Sequence, residues 1–125
     1  MSTRIQVAVD CAEPHRLASF WAAALGYEVE DHSSIVAQML EQGHATEDDT
    51  TTVDGRLAWR GAAACWDPSG GGPRLLFQEV PEPKSVKNRV HLDLHVGADR
   101  RDAEVERLVG LGATRVGVRS QGPQS

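Results

Sequence analysis

The chain has 125 residues, 40% hydrophobic and 25% charged, which is the length of one domain with a real core and too short for two independent ones. Eighteen acidic against thirteen basic residues leave a net charge of −5, which argues against a nucleic-acid partner, because phosphate backbones are held by basic surfaces. No run approaches the roughly 20 apolar residues of a membrane span, and no secretory leader is legible at the start. The expectation is a cytoplasmic protein with a small-molecule or protein partner and no membrane contact.

In chain order, Arg4 to Val9 alternates as a strand, with Ile5, Val7 and Val9 on one face and Gln6 on the other. Pro14 suits the first turn of a helix, and Leu17, Phe20, Trp21, Ala24 and Leu25 follow at helical spacing until Gly26 stops it in a left-handed conformation. Tyr27 to Glu30 forms a short strand. Residues 31–54 form an insertion: Ile35, Val36, Met39 and Leu40 mark a short helix ended by Gly43, either a lid over a pocket or a surface helix at one end of a sheet. The acidic, aperiodic stretch that follows predicts a flexible half. Arg56 to Trp66 resumes as one strand, DPSGGGP turns the chain, and Arg74 to Val80 returns antiparallel. No helix with a lysine follows those glycines, so they are no phosphate loop and imply no nucleotide cofactor.

Beyond a connector rich in Pro and Lys, Arg89 to Val96 predicts a strand, Asp99 to Leu111 a helix stopped by Gly112, and Thr114 to Val118 a last strand before a polar tail, 119–125. Leu76 and Gln78 share one strand face, as do His91, Asp93 and His95, so polar groups point where a core-facing strand carries Val or Leu. A polar-lined cavity accounts for that. Gln6 and Gln78 either satisfy backbone groups at the sheet centre or hydrogen-bond a polar ligand. His91 is a hydrogen-bonded wall residue, a substrate contact or a metal ligand, and His95 joins it on the same face. Cys11 and Cys65 lack CxxC spacing and predict reduced thiols, while Trp21 and Trp59 predict core or lid packing. The expected buried set is Val7, Val9, Leu17, Phe20, Leu25, Leu76, Val90, Leu92, Leu94, Val105 and Leu108.

The order strand, turn, helix, Leu-Gly, strand occurs twice: Gln6 lies 85 residues before His91, and Leu25-Gly26 lies 86 before Leu111-Gly112. Self-similarity of that kind points to a duplicated unit.

With DCAEPHRLASFWAAALGYEV in the first half and DPSGGGPRLLFQEVPEPKSVKNRVHLDLHV in the second, the chain resembles the vicinal oxygen chelate superfamily, specifically its small bacterial glyoxalase-like domains. The resemblance implies an α+β fold of paired βαβββ modules around a shared cavity, often in a homodimer. The first module runs about 4–80 with the insertion 31–54, and the second, lacking the final hairpin, about 88–118. The resemblance also implies metal ligand positions at Gln6, Gln78 and His91, for a divalent ion such as Zn, Ni, Mn or Fe, with a fourth, carboxylate, position that the sequence does not supply. One imidazole and two neutral amides bring no negative charge to such an ion. Two functions follow: a metal-dependent enzyme of the lyase, isomerase or dioxygenase kind, or a metal-free binder like the drug-sequestering, bleomycin-resistance members. An inactive, truncated member is the third expectation.

Overall fold

The structure, a computed structural model, describes residues 2–117. The chain divides into two compact units, Met1–Lys87 and Asn88–Ser125.

In the first unit, β1 (Gln6–Cys11) leads into α1 (Pro14–Leu25) and β2 (Glu28–Val29), followed by α2 (Ser33–Glu41), a 3-10 turn (Glu47–Asp49), β3 (Thr50–Val53), β4 (Arg56–Trp59), β5 (Ala62–Trp66) and β6 (Arg74–Glu79). Four strands form a sheet in the order β1-β6-β5-β2, with β1 parallel to β6 and the other pairs antiparallel. This is a βαβββ unit, with α2, β3 and β4 inserted between its second and third strands. Pro14 opens α1, and Gly26 closes it at φ 74°, its N–H donating to the Ala22 carbonyl.

Register decides which face folds the unit. Leu75 and Phe77 on β6, with Ala63 and Cys65 on β5, pack with Ala18 and Ala22 of α1 in one buried cluster. Alanines on both helix and sheet bring the two layers close, and Val7, Val9, Leu17, Trp21 and Leu25 close over the rim. Leu76 and Gln78 fall on the opposite face, so the expected burial of Leu76 is corrected: it is half-buried, and its neighbours in sequence are the core residues. Phe20 is likewise half-buried, standing edge-on to Trp21 with ring centroids 5.3 Å apart.

The inserted segment is more ordered than its composition suggests. Thr46 and Asp49 form a reciprocal capping box around the 3-10 turn, and the buried Thr50 hydroxyl donates to the Glu47 carbonyl at 3.0 Å. A β3–β4 hairpin replaces the expected flexible stretch. Its two-residue loop, Asp54-Gly55, has φ 50° and 79°, the left-handed pair that matches strand twist. The chain from Arg56 to Trp66 is two strands rather than one. Arg60 breaks it, bonding through its backbone to the Asp49 carbonyl and through Nε to the Asp48 carbonyl, both at 2.9 Å, which holds β4 in the hairpin while β5 enters the main sheet. Val36 of α2 is fully buried and α2 packs on β4, so the helix belongs to this small layer.

In the second unit α3 (Arg101–Leu111) forms and ends at Gly112, φ 123°, as the repeat predicts for its helix half. The strand half differs: among the described residues Arg89 to Val96 is not a strand, nor are residues 113–117, and Val118 lies outside the described residues. A strand needs a neighbour to take its N–H and C=O groups, and no other described segment of this unit supplies one. Val90 and Leu92 are accordingly 75% and 40% exposed instead of buried. Val105 and Leu108 are half-buried on α3, and Glu104 pairs with Arg107 at 2.6 Å.

The face assignment has a direct check. Phe77 is 0% exposed, so Phe77→Ala is expected to lower the unfolding free energy in urea by about 3–5 kcal/mol. Leu76→Ala, on the other face, is expected to cost less than half as much; equal losses would reverse the assignment.

Candidate functional site

The face of the sheet turned away from α1 carries the polar residues. The parallel β1–β6 ladder sets Gln6 opposite Arg74, Ala8 opposite Leu76 and Asp10 opposite Gln78, and the antiparallel β5–β6 ladder adds Ala64 opposite Leu76 and Ala62 opposite Gln78. Arg74 reaches across β5 to Glu30, the residue after β2, whose N–H is anchored on the Ala64 carbonyl at 2.9 Å.

The pair is two-pronged: Arg74 Nε donates to Glu30 Oε2 at 2.6 Å and Nη2 to Oε1 at 2.8 Å. Arg74 Nη1 donates to Gln6 Oε1 at 2.9 Å, and His32 Nε2 donates to Glu30 Oε1 at 2.9 Å. Gln6, Arg74, Glu30 and His32 are thus one connected chain. The bonds from Arg74 hold the Glu30 carboxyl below the usual glutamate range against the upward push of burial, and Glu30 in turn raises the Arg74 guanidinium. Glu30 is 20% and Arg74 36% exposed, partly desolvated yet reachable from solvent.

Two recesses meet at Glu30. One, about 550 Å³, is lined by Arg4, Gln6, Arg74, Trp66 and the loop residue Asp67. The other, about 350 Å³, lies beside the hairpin, against His15, His32, Arg56 and Leu57. The loop wall of the first is tied by Asp67, which accepts from the Ser69 N–H at 2.8 Å, the Ser69 hydroxyl at 2.6 Å and the Gly72 N–H at 2.8 Å. A Cβ at Gly72 would collide with the Tyr27 hydroxyl, so a larger residue there would have to displace that side chain. At the second, His15 Nε2 donates to the Trp59 carbonyl at 2.7 Å and Arg56 pairs with Asp31 at 2.8 Å.

Of the residues singled out from sequence, Gln6 lies in this network and Gln78 shares its sheet face, four residues further along the register, about 13 Å at the rise of a strand. His91 and His95 are exposed residues of the second unit. Cys65 is buried and its thiol is pushed up to about 11 by that burial, so it carries no nucleophile; Cys11 Sγ donates to the Gln78 carbonyl. Sequence reasoning missed Arg74, Glu30, His32 and Trp66. For Arg74 the signal was present: it precedes Leu76 and Gln78 in the same period-two alternation. Glu30 gave none, because its partner lies 44 residues away.

The chain matches the family model of the glyoxalase-like domain over residues 6–125. It therefore belongs to that family, part of the vicinal oxygen chelate superfamily. No curated protein and no solved structure matches it. Members of such a family imply a divalent metal, and within the first unit Gln6 and Gln78 do not fit as two ligands of one ion: the Gln6 carbonyl oxygen already faces the Arg74 cation, and Gln78 stands too far along the strand.

The Glu30 pair predicts an acid-sensitive fold. A carboxyl whose value is lower folded than unfolded contributes its full stability above the unfolded value and loses it as pH falls through the folded one. Glu30→Gln is expected to cost about 1–2 kcal/mol at pH 7, discounted for solvent screening of the guanidinium. It should also flatten the loss between about pH 5 and pH 3. Urea titrations at both ends check this; parallel losses in parent and variant would refute it.

Proposed function

We propose that the chain is a small-molecule-binding member of the glyoxalase-like family, holding its ligand on the open sheet face in the recess formed by Arg4, Gln6, Arg74 and Trp66. One observation supports this best: a partly desolvated guanidinium is fixed by Glu30 and Gln6 on the face that α1 leaves free. Fixing a charge there lowers the stability a plain apolar face would give, and a ligand that uses the fixed donors offsets that cost. The 42% exposure of Trp66 beside it fits the same account, because an aromatic platform next to oriented polar groups is the ordinary composition of a ligand site.

Folding and binding are then assigned to opposite faces of one sheet. Leu75, Phe77 and Cys65 hold α1, while Arg74, Gln6 and Trp66 hold the ligand. The chemistry of this face is recognition. Glu30 stays ionised in its pair and both its oxygens are engaged, which leaves it a poor proton carrier.

A thermal-shift screen of small polar molecules on metal-stripped full chain tests the proposal. Ligands are expected to raise the melting temperature without metal, by the equivalent of about 2.7 kcal/mol at a hundred times Kd, and to quench tryptophan emission in the parent but not in Trp66→Phe. Stabilisation that requires Zn, Ni, Mn or Fe, is lost in His91→Ala and is accompanied by turnover would overturn it in favour of a metal-dependent lyase or dioxygenase.

A further inference from the structure

The hydrogen-bonding capacity of the larger recess is one-sided. Its side-chain oxygens are all engaged at least once: both Glu30 oxygens take bonds from Arg74 or His32, both Asp67 oxygens take bonds from the glycine loop, and Gln6 Oε1 takes the bond from Arg74. Its donors are not. Arg74 makes three hydrogen bonds with its five N–H groups. Among the described residues, the Arg4 guanidinium makes one hydrogen bond, from Nη2 to the Gly70 carbonyl at 2.8 Å, and the Gln6 amide nitrogen makes none.

A ligand for this recess brings acceptors. A cation would sit against the charges of Arg4 and Arg74 and share oxygens that already take bonds, whereas a carboxylate meets two guanidinium groups, the side chains whose planar forks suit it best. Arg74 is neutralised by Glu30, while among the described residues Arg4 bonds a backbone carbonyl and no carboxylate, so Arg4 supplies the attraction for charge. That attraction suits a single negative charge: Asp67 in the same lining, and the net −5 of the chain, oppose a multiply charged anion such as a phosphate ester. Trp66 and Ile5, 42% and 69% exposed in the same lining, leave apolar surface uncovered next to the donors. A flat apolar body covers it, and about 550 Å³ lies within the usual range for a small-molecule site.

Resting on the ligand-binding proposal above, we infer that the recess takes a monocarboxylate with a planar apolar body, its carboxylate between Arg4 and Arg74 and its ring against Trp66. Two probes of one shape and different charge test it: 2-naphthoate and 2-naphthamide, titrated against the full chain with tryptophan emission as readout. Naphthoate is expected to bind at least tenfold tighter than the amide, and the margin shrinks with added salt. Arg4→Gln removes an exposed side chain with one described bond, so the fold survives; it is expected to weaken naphthoate at least tenfold and the amide less than twofold. Trp66→Ala is expected to weaken both. Affinities within threefold of each other, indifference to Arg4→Gln, or no naphthoate binding while other compounds still quench Trp66 would overturn the carboxylate and leave the ligand site standing. Failure of every compound to reach Trp66 would remove the site itself.

Discussion

The Arg74–Glu30 pair is the interaction on which the open sheet face depends, because it joins β6 to the chain leaving β2 over the top of β5. A guanidinium half out of water is stable only with its partner in place, and removing one member of such a pair strands the other. Gln6 and His32 extend the pair at either end, so the polar chain ties the edge strand β1 to the start of the inserted segment. On β5, Ala63 packs against α1 beneath, while the Ala64 carbonyl anchors the Glu30 N–H.

This division of labour accounts for what could be seen in the sequence. Strand-helix-glycine order, the left-handed Gly26, the antiparallel return of β6 and the mixed α+β class rest on local rules, namely periodicity, capping and turn chemistry, and they were legible. The face of β6 was not. Leu75-Leu76-Phe77 is apolar throughout, so alternation alone gives two equivalent answers, and the choice is made by α1, a tertiary partner. The β3–β4 hairpin was legible and was hidden by its acidic neighbours: Asp54-Gly55 after the β-branched run Thr50–Val53 is a strong turn signal. The strand pattern of Arg89–Val96 failed for the opposite reason, since its alternation is real but alternation does not provide a partner.

The site was half legible. Gln6 stands out as a polar residue in an apolar strand; Arg74, a charged residue at a strand's first position, resembles an end; and Glu30 and His32 acquire meaning only when β5 brings β2 near β6. The resemblance pointed to Gln6, Gln78 and His91 as ligands of one ion, while within the first unit the parallel register places a cation, Arg74, beside Gln6 and sets Gln78 four residues further along the strand. Within this unit the fold of the family is kept and the chemistry of the face is read from its own residues.

The central claim is that the sheet face carrying Arg74, away from α1, is where a small molecule binds. Chemical-shift mapping of labelled full chain with 2-naphthoate tests it most directly, following the Trp66 indole N–H, the Arg74 Nε–H and the Gln6 side-chain amide. The account predicts that these three signals move together and saturate at one concentration, while the amides of Ala18, Ala22 and Phe77 stay still. Movement confined to the α1 face, or to His91 and His95 of the second unit, would contradict it.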